Sequence, residues 1–136
     1  MVGEIYLTGV LIHFQIMRLT IKATNITHTN AIDAYVTKKM TDLDAILEPS
    51  EKSHVVRIDI GKTSKHHKEG KEVFYAEITF HLKKKDFRVV AKAGDLYVSI
   101  DKMKDMIVRE VQRHHDQIRS SQMKGARELK RRIAKA

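Results

Sequence analysis

The chain has 136 residues, with 26 Lys and Arg against 17 Asp and Glu, a formal charge of +9 and a pI near 9.8. That length suits one domain, and 42% hydrophobic content supplies a modest core, so a wholly disordered chain is excluded. The absence of Cys excludes a disulfide scaffold, a thiolate metal site and a cysteine nucleophile, and with no Trp, four Tyr and four Phe a broad base-stacking platform is not expected.

The longest apolar stretch, Ile5 to Met17, is broken by Thr8, His13 and Gln15. It falls short of the ~20 apolar residues that a spanning helix needs. Its only early charge is Glu4, so the basic start of a signal peptide is missing. Residues 1–16 read as an extra β-prone segment or as a product of start-site choice, with the functional domain starting at residue 17. No membrane partner is expected, and the chain is assigned to the cytoplasm.

Met17 to Ala23 alternates, with Leu19, Ile21 and Ala23 on one side and Arg18, Thr20 and Lys22 on the other, the pattern of a half-buried strand. Thr29 suits a helix N-cap, and Asp33 places an acid in the first turn. From there Ile32, Val36, Met40, Leu43 and Leu47 recur at helical spacing until Pro49 stops the helix.

Three strands follow. His54 to Ile60 shows Val56, Ile58 and Ile60 on one face, and Val73 to Leu82 shows Phe74, Ala76, Ile78, Phe80 and Leu82. Phe87 to Ala93 groups Phe87, Val89, Ala91 and Ala93. A polar loop from Gly61 to Lys71 joins the first pair and a tight connection from Lys83 to Asp86 joins the second, which reads as an antiparallel meander.

Gly94-Asp95 opens a longer helix whose apolar stripe is Leu96, Ile100, Met103, Ile107, Val111, His114 and Ile118, continuing weakly through Leu129 and Ile133. The order is β-α-β-β-β-α. Because each strand has one apolar face, the expected fold is a two-layer α/β sandwich: a four-stranded sheet with both helices on one face, similar to the double-stranded-RNA-binding layout.

The charge is uneven. Residues 102–136 carry +7 and the other 101 residues only +2. On the second helix Lys102, Arg109 and Arg113 fall within about 40° of one another, opposite the apolar stripe. Their spacing of ~6–10 Å suits successive phosphates of a nucleic-acid backbone. A charged row is often only a solvated face; the concentration of charge, and a reading of Arg109 and Arg113 as lacking acids at i,i+4, favour binding. Lys38 and Lys39 add charge on the first helix, and Arg119 to Lys135 extends it beyond the second. Such a row contacts backbone and carries no base readout.

His66 and His67 lie in a basic loop with no third ligand at helpful spacing, so no metal is expected there. His114 reads as partly buried, and His115 as a proton-dependent cation near RNA. No nucleophile elbow, phosphate loop, zinc-protease or dinucleotide motif occurs. Asp59 and Glu77 read as cross-strand partners of basic neighbours on the outer sheet face. No catalysis, cofactor or small-molecule substrate is expected.

Ala93-Gly94-Asp95-Leu96-Tyr97-Val98-Ser99-Ile100-Asp101, continuing through Asp105, Arg109, Arg113, His114, His115 and Asp116, resembles the C-terminal half of short ribosome hibernation-promoting factors. That group includes the ribosome-associated inhibitor A type, within the sigma-54 modulation protein family. The likeness covers about residues 17–119, leaving 1–16 as an extension and 120–136 as a basic tail. It implies binding to the rRNA of the small ribosomal subunit in the channel of mRNA and tRNA anticodon stems. There the protein would block translation and protect idle ribosomes under stress or in stationary phase, and off the ribosome it would be a monomer. Carried over by position, Lys39, Arg109 and Arg113 are implied rRNA contacts; Lys38, Lys102, His115 and Arg119 join them from spacing and charge. Asp95 is read as a helix cap and Tyr97 as a packing or surface aromatic. Family members often have Lys where this chain has Met106, a gap that Lys102 and Lys104 are expected to fill. Two other readings stay open: a general double-stranded-RNA module, and an interaction protein that self-associates through the apolar 5–17 segment or a strand edge.

Overall fold

The computed structural model describes residues 2–7, 10–15, 17–51, 55–63, 73–82 and 84–135, the first two ranges by backbone alone. Strands β1 (Val2–Leu7) and β2 (Val10–Gln15) pair antiparallel as a separate two-stranded sheet. There follow β3 (Arg18–Thr24), α1 (Asn30–Ile46), a 3-10 turn (Pro49–Glu51), β4 (Val55–Lys62), β5 (Phe74–Leu82), β6 (Lys85–Ala93) and α2 (Leu96–Ala134).

The main sheet runs β3-β4-β5-β6 and is mixed. β4, β5 and β6 form the expected antiparallel meander, whereas β3 and β4, separated by α1, pair in parallel. The latter follows from connectivity, because a helical crossover returns the chain to the same end of the sheet. β6 starts at Lys85, two residues before the alternation becomes apolar, since Lys85 and Asp86 pair with Leu82 and His81.

Alternation decides which sheet face is covered. Val56, Ile58, Ile60, Ala76, Ile78, Phe80, Leu82, Phe87, Val89 and Ala91 are buried in one cluster with Ile32, Val36, Met40 and Leu43 of α1 and Ile100, Met103, Ile107 and Val111 of α2. Both helices therefore lie on one face of the four-stranded sheet, the two-layer architecture expected from periodicity. Gly61 permits the close pairing of β3 with β4: a Cβ there would meet the Thr24 carbonyl oxygen at 1.9 Å. On the open face Asp59 accepts from Thr24 Oγ1 at 3.0 Å and Tyr75 Oη at 3.2 Å, while Arg88 pairs with Glu77 at 3.2 Å.

Both helix starts behave as their sequences indicate. The Thr29 side chain accepts from the Ile32 amide at 3.2 Å, and Asp95 Oδ1 accepts from the Val98 amide at 3.1 Å. α2 then runs unbroken for 39 residues, through Gly125. Its last buried residue is Val111, and from Arg119 onward every described residue is exposed.

Candidate nucleic-acid interface

α2 packs with the side of Leu96, Ile100, Met103, Ile107 and Val111, so the opposite side must face solvent. Lys102, Arg109 and Arg113 are all exposed there, with Met106 between them at 40% exposure. Among the described residues Lys102 and Arg109 make no ion pair, and Arg113 Nη1 lies 3.9 Å from Glu110 Oε1, a distance that leaves its charge largely available. The row is thus presented as its spacing indicates.

The acids around the row require a correction. Asp105 stands four residues before Arg109, so the reading fails there; Arg113 has no acid at i,i+4, though Glu110 stands three residues before it. Asp105 is mainly engaged by Lys104 at 2.7 Å, which holds its carboxyl below the ordinary value, helped at longer range by Arg109 and Lys39. Lys104 also reaches Asp42 of α1 at 3.0 Å, and the two carboxylates raise its pKa. With only 18% of its side chain exposed and two acid partners, Lys104 does not fill the gap at Met106; its charge is spent joining the helices.

Other expected contacts divide similarly. Lys38 is exposed on α1, and Arg119 is exposed while pairing with Asp116 at 2.9 Å. Lys39 lies half-buried with Nζ 3.2 Å from Asp101 Oδ1 and 5.3 Å from the centre of the Tyr35 ring. Its pKa is raised, first by the hydrogen bond to Asp101. His115 is turned away from the row: Nε2 lies 3.1 and 3.2 Å from the two oxygens of Glu51, which is buried just after α1. Glu51 also accepts from the Glu48 amide at 2.7 Å, so the pair fixes the end of α1 against α2. His114 packs edge-on against Phe87 at 5.4 Å. His66 and His67 lie outside the described residues.

Three side chains outside the expected set therefore prove central to how the row is held: Asp101, Asp42 and Glu51. Asp101 joins Tyr35 and Lys39, while Tyr97 meets Tyr35 edge-on at 4.7 Å, so the junction residues Tyr97 and Asp101 serve the contact between helices. Their only signal in sequence is polarity at the margin of an apolar stripe. Their partners lie 62 to 66 residues away on another element, beyond the reach of periodicity.

Comparison with known proteins agrees with this fold. The family model described as Sigma 54 modulation protein / S30EA ribosomal protein matches residues 19–119. The chain is 26% identical over 103 residues to a protein of Salmonella typhimurium named ribosome hibernation promoting factor, covering 76% of this chain and 98% of that one. Its fold is similar to the crystal structure of the Thermus thermophilus Protein Y N-terminal domain, with a TM-score of 0.58 and 26% identity over 73% of this chain and 98% of the other. A ribosomal subunit interface protein from Coxiella burnetii shares the fold at TM-score 0.58 and 14% identity, covering 74% and 99% of the two chains. With 101 of its 136 residues matched by one family model and the same helix-on-sheet fold, the chain belongs to the Sigma 54 modulation protein / S30EA ribosomal protein family.

Proposed function

We propose that this protein is a ribosome hibernation factor that occupies the small ribosomal subunit in the channel of mRNA and tRNA anticodon stems. It excludes those ligands sterically, blocking translation and protecting idle ribosomes under stress or in stationary phase. The observation that carries this reading is the exposed row of Lys102, Arg109 and Arg113, displayed on a helix whose other side is locked into the core. Family membership and the hibernation-factor name of the Salmonella relative support it.

Binding makes and breaks no covalent bond. Lys102, Arg109 and Arg113 contact phosphates directly, with Lys38 and Arg119 at the margins. Lys39 completes the rim while keeping its carboxylate partner Asp101, and His115 acts from behind the row by holding Glu51. Attraction of this kind releases counterions, so affinity falls steeply with salt, and the helix face distinguishes RNA surfaces by shape rather than by base sequence. The protein acts in the cytoplasm and is monomeric off the ribosome.

Co-sedimentation with separated ribosomal subunits across a salt series, with a long RNA duplex as competitor, tests the reading. Small-subunit binding that survives the duplex, with inhibition of translation in vitro, is expected. Binding removed entirely by the duplex identifies a general double-stranded-RNA module instead.

A further inference from the structure

In the last third of α2 no described residue is buried. Residues 119–135 are exposed, and this arm projects about 24 Å past the last half-buried residue, Ile118. Residues 119–135 contain seven Lys and Arg and one acid, Glu128. Glu128 lies 3.7 Å from Arg131 and 3.5 Å from Arg132, two loose pairs that leave the arm strongly positive.

The charges are not spread evenly around the helix. At 100° per residue, Lys124, Arg127, Arg131 and Lys135 fall in the same arc of about 80° as Lys102, Arg109 and Arg113. Leu129 and Ile133, 60% and 65% exposed, fall on the opposite side, in line with the stripe that buries Ile107 and Val111. Seven cations therefore share one face of one continuous helix over about 50 Å.

From this register we infer that the arm is a second RNA-binding segment, which extends the contact of the folded domain along the same RNA surface. The inference rests on the reading above that the domain's own row faces rRNA. The charge identifies the occupant. A second copy would bring a like-charged arm, and a lipid surface taking up Leu129 and Ile133 would leave Lys124, Arg127 and Arg131 pointing away from its headgroups. A polyanion laid along the row meets the cations of domain and arm together.

The test compares two full-length variants of equal net charge, Lys124→Glu with Arg131→Glu on the row, and Lys130→Glu with Arg132→Glu off it. Binding to purified small subunits is measured across a salt series. The row pair should weaken binding about tenfold and lower the slope of log affinity against log salt by about two, with the off-row pair costing less than about threefold. Equal losses would make the arm a diffuse charge and overturn the inference, as would no loss from the row pair. Far-UV circular dichroism checks the helix, and the Gln versions of both pairs replace the Glu versions should helicity fall. If the parent protein binds no small subunit, the ribosome reading fails by itself. The same pairs are then compared on an RNA duplex, where row-specific loss upholds the arm and its absence overturns it. Capture by phosphatidylglycerol vesicles without row-specific RNA binding also overturns it.

Discussion

The hydroxyl of Tyr35 donates to Asp101 Oδ1 at 2.6 Å, although 66 residues separate the two in sequence. The same oxygen receives the Lys39 ammonium at 3.2 Å, and the next helical turn adds Lys104 to Asp42 at 3.0 Å. α1 and α2 are thus joined by an apolar layer against the sheet and a polar seam above it. That seam fixes the rotation of α2, and so where Lys102, Arg109 and Arg113 point.

The seam makes stability depend on alkaline pH. Tyr35 is held above its ordinary 10.0, first by its hydrogen bond to Asp101 and then by burial, and Lys39 and Lys104 are held above 10.5 by their carboxylates. Each group favours its protonated form when folded. Its contribution is complete below the ordinary value and is lost as pH rises through the raised one. Stability should fall above about pH 10, and Tyr35→Phe should be less stable at neutral pH yet show a shallower alkaline decline. Asp105, held below 3.8, contributes above that value and is lost as pH falls through its lowered one. Urea midpoints across the pH range check both limbs, and an unchanged alkaline slope in Tyr35→Phe would remove Tyr35 from the seam.

Gly61→Ala should be severely destabilising, because the added methyl would meet backbone at 1.9 Å rather than a side chain able to move. Parting β3 from β4 to relieve that contact should cost about 3 kcal/mol. Thermal unfolding measures it, and an unaltered midpoint would mean that the two strands do not pair as described.

Among the described residues, His115→Leu leaves the buried Glu51 carboxylate with only the Glu48 amide, and should cost about 2 kcal/mol. Replacing both partners, Glu51→Leu with His115→Leu, should cost less than His115→Leu alone, since no uncompensated charge is then left inside. A double-mutant cycle by denaturant unfolding reads the coupling.

Most of the fold is legible in the sequence because two of its rules are local. The strand faces of Val56 to Ile60 and Phe74 to Leu82 follow from alternation, and the caps Thr29 and Asp95 from the demand of free amides at a helix start. The cationic row follows from 100° geometry once the packed stripe is known. The fate of each cation does not. Lys39 and Lys104 look as available as Lys102 until Asp101 and Asp42 are brought beside them by the packing of α1 on α2. His115 looks like a surface cation until the 3-10 turn delivers Glu51 beneath it. Periodicity finds faces, and only the tertiary fold finds partners. The continuity of α2 through Gly125 is likewise invisible to a stripe that weakens there.

The proposed grip of the α2 row on the small subunit predicts a clear loss of binding in the variant Arg109→Glu with Arg113→Glu. Both side chains are exposed and away from the core, so the variant should keep its circular dichroism spectrum and thermal midpoint. In co-sedimentation with purified small subunits at near-physiological salt, the folded variant should remain in the supernatant while the parent protein pellets with the subunit. Undiminished pelleting of the folded variant would contradict the account and place the binding surface elsewhere on the molecule.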